Sequence, residues 1–118
     1  MINFDYLFDD KRENGYKEVL EEVNSGKAQL VDIRELAEWN QMRFKCAIHV
    51  PLSDLVKGVG VDKLRDIKEK NKKLYLHCRS GSRVRMAQQV LASYGCKDFD
   101  IIPGSMMQMI EEGFTLHQ

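Results

Sequence analysis

Cys78 is the residue in this chain whose setting suggests chemistry. It closes the apolar run Leu74-Tyr75-Leu76-His77 and opens a loop, Arg79-Ser80-Gly81-Ser82-Arg83, rich in arginine, serine and glycine. Val84, Ala87, Leu91 and Tyr94 then recur at helical spacing, and Gly95 stands just past them as a stop signal. Strand, loop and helix in that order put the Cys78 sulfur at the carboxyl end of a strand, faced by loop amides and the first free N–H groups of the helix. Such a nest stabilises negative charge, and the thiolate is the form of cysteine that attacks electrophiles. Arg79 and Arg83 add positive charge beside it, and Ser80 and Ser82 offer hydroxyl donors. The competing expectation is a buried cysteine at a strand end with its arginines turned to water.

The elements that must position this loop can be read from the apolar pattern. Tyr16, Val19, Leu20 and Val23 mark one face of a helix ended by Ser25-Gly26. Leu30 to Ile33 reads as a buried parallel strand, followed by a short helix over Glu35 to Gln41 with Leu36 and Trp39 inward. Cys46 to Val50 is a second strand closed by Pro51, and Ser53 is expected to cap a turn carrying Leu55 and Val56. Gly58-Val59-Gly60-Val61 lacks the lysine and spacing of a phosphate loop and reads as a connector. Asp62 is expected to cap a helix with Leu64 and Ile67 inside. Phe99 to Ile102 is a further strand, and Met106, Met107, Met109 and Ile110 form the last helix, stopped by Gly113.

Strands alternating with helices imply a parallel sheet covered on both faces, with ligands taken up outside the carboxyl ends of the strands. Asp32 and Arg34 end one strand and Cys78 another, so all three are expected at one rim. There Asp32 and Arg34 are expected to brace the Cys78 loop, as an ion pair or as an acceptor for loop amides, in preference to touching substrate. His77 precedes Cys78 on a strand and therefore points to the opposite face, as a packed or hydrogen-bonded side chain. His49 and His117 have no partners at ligand spacing.

The chain's 118 residues suffice for one domain with its own core. With 18 basic and 18 acidic side chains it has no net charge, and nothing in that balance favours nucleic acid or an anionic membrane. Lys68, Lys70, Lys72 and Lys73 are expected to solvate a helix end. Cys46, Cys78 and Cys96 form neither a disulfide framework nor a Cys-x-x-Cys metal motif, which suggests a reducing compartment. Cys46 and Cys96 are expected to be small core residues. The first ten residues are acidic, without the positive start of a signal peptide, and no apolar run reaches membrane length, so a cytoplasmic location is expected. Residues 1–13 are expected to be an extension or edge element, and residues 14–118 the domain.

Cys78-Arg79-Ser80-Gly81-Ser82-Arg83 resembles the active loop of the rhodanese sulfurtransferases, especially the single-domain kind. Leu30-Val31-Asp32-Ile33-Arg34-Glu35 is similar to the family's strand end of hydrophobic-Asp-Val-Arg-Glu type, and Ala47-Ile48-His49-Val50-Pro51-Leu52 to its Ala-x-Asn-Ile-Pro-Leu strand. Pro103-Gly104-Ser105-Met106 resembles its turn before the last helix. The resemblance implies a three-layer α/β fold with a central, mostly parallel sheet of four to five strands and helices on both faces. It implies a Cys78 persulfide formed from a small anionic donor such as thiosulfate, with Arg79, Ser80, Gly81, Ser82 and Arg83 around the substrate and Asp32 and Arg34 in support. A thiol or a protein would accept the sulfur, and neither metal nor cofactor is implied. An arginine-rich loop goes with thiosulfate-type donors in the family, and a Cys-Gly-Ser-Gly-type loop with mercaptopyruvate.

Three further functions compete with sulfur transfer from thiosulfate. Related cysteine phosphatases and arsenate reductases place five residues between Cys and Arg, whereas Arg79 to Ser82 are four, a smaller ring that suits sulfur better than phosphate. A non-catalytic binding module would need no nucleophile, yet this chain keeps Cys78 and both arginines. A sulfur carrier loaded by a protein partner would use the same cysteine. The chain departs from the family at Met42-Arg43-Phe44-Lys45-Cys46-Ala47, where relatives have Gly-His-Ile-Pro-Gly-Ala, and at Met109, where they often have tryptophan.

Overall fold

The computed structural model describes residues 15–97 and 99–118, so the expectation for residues 1–13 lies outside the described residues. Ten elements follow in order: α1 (Gly15–Asn24), β1 (Ala28–Asp32), α2 (Leu36–Gln41), β2 (Ala47–His49), α3 (Leu52–Val56), α4 (Val61–Glu69), β3 (Lys73–His77), α5 (Ser82–Ser93), β4 (Asp100–Ile101) and α6 (Met106–Glu111). The sheet has four strands in the order β2-β1-β3-β4, every pair parallel.

Alternation along the strands explains the layers. Val31, Ile33, Leu74, Leu76 and Cys78 face one side, where Leu55, Leu64, Val84, Ala87 and Leu91 of α3, α4 and α5 cover them. Ala28, Leu30 and Tyr75 face the other, under Val19 of α1, Met106 and Met109 of α6, and the rings of Phe44 and Phe114. A parallel sheet buried on both faces needs apolar residues at successive positions, which is why these strands read as runs. The register aligns Asp32 with both His49 and His77, so β1, β2 and β3 end together at one rim.

Several local expectations are corrected. Leu36 is exposed, because α2 buries no residue and lies along the rim. Pro51 is the cap that precedes α3, and Ser53 lies inside the helix, donating to Glu35 Oε1 at 2.5 Å. α4 is preceded by Gly60 at φ +87, where a Cβ would come within 2.6 Å of Val50; Asp62 therefore lies in the first turn, paired with Arg65 at 3.1 Å. Lys73 opens β3 and pairs with Glu22 at 3.0 Å, so the lysine run continues into the sheet beyond the helix end. Met107 and Tyr94 are exposed.

The segment over residues 42–47 is tied down from two directions. Lys45 N–H donates to the Thr115 carbonyl at 2.9 Å, His117 N–H donates to the Arg43 carbonyl at 2.8 Å, and Phe44 bridges to Leu116. Arg43 lies over the Trp39 ring at 5.1 Å, and Trp39 also stacks on His49 at 4.7 Å.

Candidate active site

β3 delivers Cys78 to the rim, and Cys78 belongs to the same apolar layer as Leu74 and Leu76. It is fully buried. The chain then turns through Gly81 at φ +97, and Gly81 N–H donates to Cys78 Sγ at 3.1 Å. A Cβ at Gly81 would stand 1.9 Å from the Pro103 carbonyl oxygen, so both the backbone angle and the space demand glycine. The loop is fastened from that side too: Met106 N–H, opening α6, donates to the Arg79 carbonyl at 3.0 Å. Ser105 caps α6 in a reciprocal arrangement with Gln108.

One loop amide, that of Gly81, bonds the sulfur among the described residues, fewer than the nest read from the sequence. Burial of Cys78 and exposure of Arg79 also suit the plain core-cysteine expectation. That expectation does not account for the sulfur as hydrogen-bond acceptor, or for the cavity of about 530 Å³ beside the loop. Arg79 and Ser80 line this cavity together with Arg34, Glu38, Gln41 and Met42 on one side and Ser105, Met106, Met107 and Ile110 on the other. Ser82 is the exposed first residue of α5; neither it nor Gly81, Arg83 or the buried Cys78 itself is among the walls, so the cavity reaches the loop at Arg79 and Ser80 and stops short of the sulfur.

Arg83 requires a correction. Sequence reading gave it a charge beside Cys78 available to a substrate, but both its terminal nitrogens are held by Glu38 of α2, at 2.6 and 2.9 Å. That bond, the largest influence, draws the Glu38 carboxyl well below the usual carboxylate range, to about 2, and raises the affinity of Arg83 for its own proton. Glu38 Oε1 also accepts Glu35 N–H at 3.1 Å, closing the capping box at the start of α2. The Glu35-x-x-Glu38 spacing was the sequence signal for that cap.

Asp32 and Arg34 form the expected ion pair, with Arg34 Nη2 2.8 Å from Asp32 Oδ2 and the Arg34 backbone N–H 2.8 Å from Oδ1. The brace, however, lands elsewhere. Arg34 Nη2 donates to the Met42 carbonyl at 2.5 Å and so holds the segment after α2, not the Cys78 loop. The link to the nucleophile runs through His77, whose Nε2 stands 3.7 Å from Asp32 Oδ2 and has no hydrogen-bond partner among the described residues. Burial pushes the His77 ring down from the usual 6.5 to about 4, against the pull of Asp32. His77 is thus a packed neutral side chain touching the Phe44 ring, on the face opposite Cys78. His49 Nε2 lies 2.7 Å from the Arg34 carbonyl.

Cys46 is half-buried, with its thiol pushed up by burial, and Cys96 is buried. Among the described residues no cluster of His, Cys, Asp and Glu could hold a metal ion, and no helix is long and apolar enough to cross a membrane.

Comparison with known proteins gives this rim a context. The Rhodanese-like domain profile matches residues 16–112. A thiosulfate:glutathione sulfurtransferase of Saccharomyces cerevisiae is 31% identical over 91 residues, 71% of this chain and 66% of that protein. The putative sulfur carrier protein YrkF of Bacillus subtilis is 28% identical over 76 residues, 64% of this chain and 38% of YrkF. Among solved structures, protein hp1203 of Helicobacter pylori superposes with a TM-score of 0.64 at 31% identity, covering 83% of this chain and 84% of that one.

Proposed function

The chain belongs to the rhodanese-like domain family, and from that premise we propose that it moves a sulfane sulfur from thiosulfate, or a similar anionic donor, through a persulfide on Cys78. The observation that carries the reading is the Gly81 N–H aimed at the Cys78 sulfur beside a cavity walled by Arg79 and Ser80. The Cys78 thiolate attacks the outer sulfur of thiosulfate, forming a new S–S bond. The old S–S bond breaks, and its electron pair leaves with sulfite. An acceptor thiolate then attacks the outer persulfide sulfur, takes it, and returns Cys78 as thiolate. The Gly81 amide holds negative charge on the sulfur in both steps without reorganising, because Pro103 and Met106 fix the loop. Arg79 draws the anionic donor in, and Ser80 supplies a hydroxyl at the wall. Gly81, Ser82 and Arg83 shape the turn, and Asp32 and Arg34 fix the facing side. This chemistry calls for neither metal nor organic cofactor. Three free cysteines suit a reducing compartment, and the cytoplasm is the location proposed.

The test is the intact mass of the protein after thiosulfate treatment. Wild type is expected to gain one sulfur atom, removable by reductant, and Cys78→Ser to gain none and lose sulfur transfer to cyanide. A Cys78→Ser protein that still transfers sulfur overturns the mechanism.

A second reading is favoured by the Glu38–Arg83 pair, which leaves less free positive charge for a dianion. Here the chain is a carrier loaded by a persulfide-bearing protein, a role that the name of YrkF also suggests for that relative. Much faster loading from such a protein than from thiosulfate would favour it.

A further inference from the structure

The cavity that meets the Cys78 loop at Arg79 and Ser80 has two arginines and one carboxylate on its walls. Arg34 is neutralised by the buried Asp32. Glu38 is a wall residue, whereas Arg83, which it holds, is not. Arg83 stands in the first turn of α5, directly after the Cys78 loop, so its charge would bear on the sulfur were it not paired. Among the described residues Arg79 is then the one wall cation without a carboxylate partner. An incoming anion is attracted by Arg79, repelled by Glu38, and shielded from Arg83 by the pairing. Coulomb energy scales with the charge of the visitor, so a dianion feels both the pull of Arg79 and the repulsion of Glu38 twice as strongly as a monoanion does, and Glu38 removes twice as much of its attraction.

We propose that Glu38 is a specificity-determining residue, which cancels the Arg83 charge at the cavity and so narrows the advantage of a dianionic donor such as thiosulfate over donors of lower charge, such as the persulfide of a thiol. It acts through Arg83 and through the potential at the sulfur. The proposal rests on the sulfur-transfer reading of Cys78 and assigns that site its donor preference.

The experiment uses two methanethiosulfonate reagents of similar size, one carrying a sulfonate and one a trimethylammonium group. Each reacts with a thiolate to form a mixed disulfide, releasing methanesulfinate. Rates at Cys78 are followed by intact mass, with Cys78→Ser giving the background from the other thiols. Glutamine keeps an oxygen for the Glu35 and Arg83 donors while losing the charge, so Glu38→Gln is the informative change. The anionic-to-cationic rate ratio is expected to rise about tenfold in Glu38→Gln at low salt and to fall in Arg83→Gln. In the double variant, where net charge is restored, it should return close to wild type. The thiosulfate concentration for half-maximal loading should fall in Glu38→Gln by about the same factor. Mere loosening of the loop would move both reagents together and leave the ratio alone; that result overturns the proposal even where sulfur loading is normal. The opposite signs expected for the two single variants keep the test decisive if one fails to fold. A ratio that moves as expected in a wild type that loads no sulfur from any donor upholds the charge role and sinks the sulfur-transfer reading. A Cys78 that neither reagent reaches overturns both.

Discussion

The Asp32–Arg34 and Glu38–Arg83 pairs are the same chemistry in two settings at one rim. Asp32 and Arg34 are sealed, with side chains 0% and 4% exposed, and the guanidinium also holds a backbone carbonyl. Glu38 and Arg83 are each 30% exposed and join two helices beside the cavity. Water decides what each can do. A buried pair is held by the cost of leaving either charge alone, so it fixes backbone and tolerates no partner loss. A partly exposed pair contributes little to stability, because solvent screens it, yet its carboxylate is on the cavity wall and sets the charge that an incoming anion meets. The rim thus combines a structural pair with one whose weight falls on function.

Removing one partner of the buried pair gives the largest expected effect. Asp32→Ala strands the Arg34 guanidinium without a counter-charge and should cost about 3–5 kcal/mol in urea denaturation. A loss below about 1 kcal/mol would erase the contrast between the pairs. Acid should separate them next. His77 beside Asp32 has a folded pKa near 4, below its unfolded 6.5, so the unfolded chain binds the proton first. The stability this neutral ring contributes is complete above pH 6.5 and disappears as pH falls from 6.5 toward 4, an effect of about 3 kcal/mol. Glu38 loses its contribution lower, as pH falls from the ordinary carboxylate range toward 2. His77→Gln should therefore flatten the stability profile between pH 6.5 and 4 relative to wild type; an unchanged slope there would show that burial does not hold this ring neutral.

What the sequence disclosed divides along the same line. Asp32 and Arg34 are two positions apart at a strand end, and the apolar runs before Cys78 and after Arg83 are local periodicities, so the parallel fold and the loop were legible. The contacts that assign each charge its partner are not local. Glu38 and Arg83 are 45 positions apart, and only the packing of α2 beside α5 brings them together. The same holds for Arg34 reaching Met42 and for Gly81 lying against Pro103. Caps misled for another reason. Asp62 and Ser53 are good capping residue types, but the left-handed turn at Gly60 and the ring of Pro51 had already fixed where those helices start.

The smallest expected effect concerns the half-exposed pair, and its smallness is what tests the division. Glu38→Ala removes two charge-assisted hydrogen bonds to Arg83 and the acceptor for Glu35 N–H. In a dry interior that loss would rival Asp32→Ala. At this exposure Arg83 regains water when its partner goes, and α2 keeps the Glu35 side of its capping box. The expected cost is about 1 kcal/mol, read as a fall of about 4 °C in thermal midpoint. Screening supplies the internal control: the difference from wild type should shrink as salt shortens the Debye length, whereas that of Asp32→Ala should hardly move. A Glu38→Ala loss as large and as salt-insensitive as that of Asp32→Ala would make both pairs structural, and the charge at the cavity would then have to be explained by Arg79 alone.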